Sequence, residues 1–171
     1  MNKAPFSVRL GRTLRSMIPG LLLLLCVFVA ALPTGLPQFA DVTPFLSLMA
    51  VYYWGIYRPD LLPAVVVFMG GLVQDVVTGG PIGLMALVLI LVHAVGVSQR
   101  RFFLGKSFPV EWWGFGLVTL GAGVVAWIVA SLYFVALLDP KSIAVQALLT
   151  IAVYPLVTRL FTQASRAVRP A

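Results

Sequence analysis

From residue 112 to residue 138 the chain carries no charged side chain. Wound as a helix rising ~1.5 Å per residue, such a stretch outreaches the ~30 Å hydrocarbon core of a bilayer and leaves length for tilt. It is one of six apolar blocks. The others run over about 17–32, 44–57, 60–77, 82–97 and 142–161. The second and third are short for a full crossing, so they stand upright, dip incompletely or are shielded by neighbours.

The breaks between blocks are chemical. Pro33-Thr34-Gly35-Leu36-Pro37 ends the first block and Arg58-Pro59-Asp60 the second, with Asp60 placed to cap the third. Gly79-Gly80-Pro81 terminates the third and restarts the chain. No Asn-Gly turn and no period-two alternation appears, which argues against a β-barrel. The expected fold is all-α: a polytopic membrane protein with six transmembrane helices.

Composition agrees. Charged residues make up 10% of the chain and apolar ones 61%, against about 25% and 45–50% in a soluble domain. A net charge of +7 and a pI near 10.2 would suggest nucleic acid in a soluble protein. Here the basic residues follow topology instead. With the N-terminus inside, Lys3, Arg9, Arg12, Arg15, Arg58, Arg100, Arg101, Lys106, Arg159, Arg166 and Arg169 all fall on the cytoplasmic side, and only Lys141 falls outside. That bias favours an even span count with both termini inside, and no nucleic-acid partner is expected. It divides the chain into a basic tail at 1–16, a six-helix domain at 17–161 and a second basic tail at 162–171. The first tail is either a surface helix, with Phe6, Leu10, Leu14 and Met17 at helical spacing, or a disordered basic arm. The first block is read as a retained span rather than a cleaved signal, because no small-x-small site precedes Pro33.

Aromatic residues cluster near predicted ends: Tyr52, Tyr53, Trp54 and Tyr57 in the second block, Trp112 and Trp113 in the fifth, then Tyr133 and Phe134. They are expected to form interfacial belts.

Catalytic chemistry is sparse. One histidine, one cysteine and five carboxylates show no metal-ligand or acid–base spacing. No catalytic residue, metal or cofactor is expected, and His93 reads as a packed histidine. Polar residues gather instead at Gly70-Gly71-Leu72-Val73-Gln74-Asp75 and Thr78-Gly79-Gly80-Pro81-Ile82-Gly83. Asp75 ends a helix, where the dipole disfavours an anion, so a compensating group is required. Either Asp75 solvates the turn, or with Gln74 it fixes the hairpin or meets a partner. Lys141, the one outer cation, is the expected neighbour of Asp75. Arg58 is expected beside the C-terminus of the second helix.

The run Arg58-Pro59-Asp60, then Gly70-Gly71-Leu72-Val73-Gln74-Asp75, then Gly79-Gly80-Pro81-Ile82-Gly83-Leu84 resembles the hairpin of the rod shape-determining protein MreD family, of the form R-P-(D), G-L-x-x-D and G-x-P-x-G. The resemblance covers residues 58–84. It implies a non-catalytic component of the bacterial cell-elongation machinery in the inner membrane. The implied partners are MreC and, through the complex, MreB, a cell-wall glycosyltransferase and a transpeptidase. The implied fold is like that of the substrate-binding subunits of vitamin transporters. By motif match, Asp75, Gly79, Pro81 and Gly83 inherit the family's hairpin, and Arg58 with Pro59 its inner turn; together with Asp60, Gly70, Gly71, Gln74 and Gly80 they are expected to form a structural or partner-binding motif.

Two functional readings follow. In the first, the protein is a scaffold docking a partner's transmembrane helix. Gly114, Gly116, Gly121, Gly123, Ala126 and Ala130, besides Gly70 and Gly71, allow close helix contact there, the glycines serving either that contact or internal packing. Arg100, Arg101 and Lys106 offer a cytoplasmic contact or merely obey topology. In the second, the protein captures a small molecule for a vitamin-type transporter, with Gln74, Asp75, Gln146 and Tyr154 as the available polar groups.

Overall fold

In the computed structural model the described residues are 6–32, 43–103, 105–137 and 139–168. They form six α-helices: α1 (Phe6–Ala31), α2 (Leu46–Tyr57), α3 (Ala64–Thr78), α4 (Leu84–Phe103), α5 (Phe108–Tyr133) and α6 (Pro140–Val168). A 3₁₀ turn at Pro59–Leu61 joins α2 to α3. No strand occurs among the described residues. The helices of α4, α5 and α6 are long and apolar enough to cross a membrane. The apolar part of α1, Met17–Ala31, and all of α3 are shorter. α1 and α6 continue as helix into the segments read as tails.

Five helices form a ring in the order α1, α3, α4, α5, α6, with α6 returning to α1. α2 stands inside it. Every residue from Ser47 to Ile56 is buried. A helix of 12 residues is about 18 Å long, too short to cross a bilayer unaided, and one that is apolar on all sides can be enclosed by protein on all sides. This corrects the expected aromatic belt. Tyr52 and Trp54 are 0% exposed and Tyr53 only 3%; they are core residues. Tyr52 lies 5.2 Å from the Phe115 ring, which stacks on Tyr154 at 3.8 Å. Trp112, Trp113, Tyr133 and Phe134 do face outward.

Close approach depends on missing side chains. A Cβ on Gly114 would fall 2.3 Å from Phe103 and 3.2 Å from the Tyr52 hydroxyl. One on Gly123 would meet Ile143 of α6 at 3.4 Å. Gly121 has nothing within 4 Å and faces outward. The α5 glycines therefore divide between internal packing and open surface.

Pro155 lies inside α6. Proline has no N–H, so the carbonyl four residues earlier, that of Ile151, loses its helical donor. The Trp112 indole Nε1–H donates to that carbonyl at 2.9 Å and joins α5 to α6. Trp112→Phe is expected to lower stability by about 1 kcal/mol. Trp113→Phe, at an exposed neighbour, is expected to stay within ~0.5 kcal/mol of the native protein. Reversible unfolding in mixed micelles measures both; equal effects would contradict the assignment of Trp112.

Candidate functional site

Asp75 lies in the last turn of α3 and is 1% exposed. Its carboxylate accepts the backbone N–H of Gly83 at 2.8 Å and of Met85 at 2.9 Å, with Ala86 N–H farther away at 3.5 Å. These amides belong to the N-terminus of α4, whose first donors have no intrahelical acceptor. Gly83 occupies the N-cap position but has no side chain to cap with. Its φ of +96° is one that favours glycine. Asp75 supplies the cap from the preceding helix.

The anion that is misplaced on its own helix is thus well placed on the next one, where the dipole favours negative charge. Lys141 is not its partner. Lys141 lies 4.0 Å from Asp139, both exposed. The expected Asp75–Lys141 approach is therefore corrected: backbone amides do the work assigned to a cation.

The rest of the motif sets the distance between α3 and α4. A Cβ on Gly71 would lie 2.4 Å from the Ala86 Cα and 2.6 Å from its nitrogen, so the two backbones touch. Gly70 faces α1, where a Cβ would come within 2.7 Å of the Leu23 side chain. Gly79 closes α3 with φ +68°, donating to the Asp75 carbonyl, and the Gly80 N–H donates there too. The Pro81 carbonyl accepts from Leu84. Gln74 is buried, and its Oε1 has no partner among the described residues.

At the turn between α2 and α3, Arg58 sits at the C-cap of α2, as expected, with its N–H on the Trp54 carbonyl. Asp60 is different. It is exposed within the 3₁₀ turn, and α3 begins at Ala64 behind Pro63 without a side-chain cap. Two prolines, Pro59 and Pro63, set this entry, so Asp60 stands too early to cap α3. His93 Nε2 is 2.9 Å from the Leu62 carbonyl, which places the ring proton on Nε2.

The rod shape-determining protein MreD family model matches residues 10–164. The chain belongs to the MreD family. It takes part in determining rod shape, and its apolar helices fit a membrane protein. The chain matches no curated protein and no solved structure.

This MreD-family chain also holds a polar cluster that sequence reading passed over. Glu111, in the first turn of α5, is 5% exposed. It accepts Tyr57 Oη at 2.6 Å from the end of α2 and Tyr154 Oη at 2.7 Å from α6. The three helices are thereby fastened at one end. A signal was present: Glu111 is the one acid between Asp75 and Asp139, and it follows Arg100, Arg101 and Lys106 against the local charge bias.

The polar groups considered for a ligand pocket do not converge. Gln146 donates to the Thr43 carbonyl, Tyr154 to Glu111, and Asp75 accepts from α4. Arg100 and Arg101 occupy the last turn of α4, and Lys106 lies 5.6 Å from the Phe102 ring centre. Among the described residues no group of three or more His, Cys, Asp or Glu has the arrangement of a metal site.

Proposed function

We propose that this MreD-family protein is a non-catalytic scaffold of the cell-elongation complex in the bacterial inner membrane. It binds the membrane-anchored protein MreC and connects indirectly to MreB, the cell-wall glycosyltransferase and the transpeptidase. The observation that carries the reading is the family match over residues 10–164. In this reading both termini and the residues Arg100, Arg101 and Lys106 are cytoplasmic. The hairpin tip around Gly79, Gly80, Pro81 and Gly83 lies on the outer side.

A groove between α4 and α5 suits a single transmembrane helix. It has a volume of about 300 Å³ and is lined by Val88, Leu91, Val95, Val118, Gly121 and Val125. Gly121 leaves it open, and close backbone approach is how small residues promote helix association in lipid.

A photo-crosslinking residue at Gly121 is expected to capture MreC in cells, whereas one at the exposed Leu148 of α6 is not. Gly121→Trp should fill the groove, and cells relying on it should become round at normal protein level. Rod-shaped growth after depletion of the native protein would sink the scaffold reading.

A further inference from the structure

The basic end of the bundle carries a second recess, on the seam between α5 and α6. It has a volume of about 430 Å³ and is lined by Phe108, Pro155, Thr158, Arg159, Thr162 and Gln163. Arg159 is its one charged residue and is exposed. The two threonines are not free donors. Thr158 gives its hydroxyl hydrogen to the Tyr154 carbonyl and Thr162 to the Thr158 carbonyl. Donation into the recess falls to the Arg159 guanidinium and the Gln163 amide. The first turn of α5 opens into it at Phe108, where the helix dipole favours an anion. Glu111, one turn on, is turned into the bundle and held by two phenols.

The same seam continues toward the middle of the helices as an apolar groove. One turn further along α5 from Phe108 and one turn back along α6 from Pro155 lies a space of about 170 Å³, lined by Trp112, Trp113, Gly116, Leu117, Leu120 and Ile151. The polar hydrogen of Trp112 is committed to the Ile151 carbonyl. Gly116 leaves room there, its nearest neighbour atom standing 3.8 Å from a would-be Cβ. A cationic recess at a helix end that runs into an apolar groove has the polarity of a phospholipid.

We infer that the α5–α6 seam binds one anionic phospholipid, its phosphate on Arg159 and Gln163 and an acyl chain along Gly116. Arg100, Arg101 and Lys106 gather at the same end and raise the local concentration of anionic lipid. The bound lipid occupies the flank of α5 away from the α4 groove, so it is separate from the docking surface proposed above.

The test uses the full-length protein in mixed micelles, with a spin-labelled phosphatidylglycerol as probe. Binding at least tenfold tighter than that of spin-labelled phosphatidylcholine is expected. Arg159→Gln should weaken it about tenfold, and Gly116→Leu should weaken it while leaving the protein folded. Lys141→Gln removes the same charge at the far end of α6 and should leave binding unchanged. Arg159→Lys, which keeps the charge, guards against loss of fold and should retain part of the affinity. Equal binding of the two lipids, or undiminished binding in folded Arg159→Gln, would overturn the inference. Soluble glycerol phosphate competing as well as the lipid would show a phosphate site and overturn it too.

Discussion

Gly71→Ala is expected to destabilise the protein by about 3 kcal/mol, the upper part of the range for overpacking a tight contact. The added methyl group would meet the Ala86 backbone, at 2.4 Å from Cα and 2.6 Å from nitrogen. A backbone cannot rotate away, so α3 and α4 must separate, and the Asp75 cap is pulled from its amides. Gly70→Ala is the internal comparison. Its clash is with the flexible Leu23 side chain at 2.7 Å, and a rotamer change relieves it for about 1 kcal/mol. Unfolding midpoints in mixed micelles measure both, and a Gly70 variant as weak as the Gly71 variant would refute the backbone-contact argument.

Asp75→Ala is expected to cost a comparable amount, about 3 kcal/mol. It removes a charged acceptor and leaves the partly buried N-terminal amides of α4 without a partner. Asp75→Asn keeps one acceptor oxygen but turns an NH₂ group toward donors, so about half that loss is expected. Asp60→Ala, at an exposed position, should change stability by less than ~0.5 kcal/mol. Hydrogen exchange offers a local readout: in Asp75→Ala the Met85 and Ala86 amides should lose protection first. If exchange there is unchanged, the capping role is wrong.

Sequence made the helices visible because their ends are chemically marked. Arg58-Pro59, Gly79-Gly80-Pro81 and the charges around 100–106 interrupt long apolar runs, and the observed helices stop at those places. The same reading missed the burial of α2. Leu46–Tyr57 has an apolar sequence all round, and lipid and protein are equally good surroundings for such a surface. Hydropathy therefore cannot tell a belt from a core, and Tyr52 and Trp54 were placed by their ring chemistry alone.

The site was legible in a similar half. Asp75 stands out in the sequence as a misplaced anion, and the helix dipole signals its need for compensation. The compensating group is not signalled, because backbone amides have no letter in a sequence. Only cations were visible, and Lys141 was the one remaining. Glu111 was hidden for another reason: Tyr154 lies 43 positions away along the chain, and only the packing of α5 against α6 makes them neighbours. Asp60 failed as a cap because Pro63 delays the helix start beyond its reach.

The enclosure of α2 bears on how such a chain is made. A translocating machine sorts segments into lipid by their hydrophobic length, and α2 has about 18 Å of helix to offer. Its lasting environment is assembled by the flanks of α1, α4 and α6, two of which are synthesised after it. The centre of the molecule is consequently waiting for its walls until α6 has emerged. Biogenesis of this protein is thus closed by its last helix.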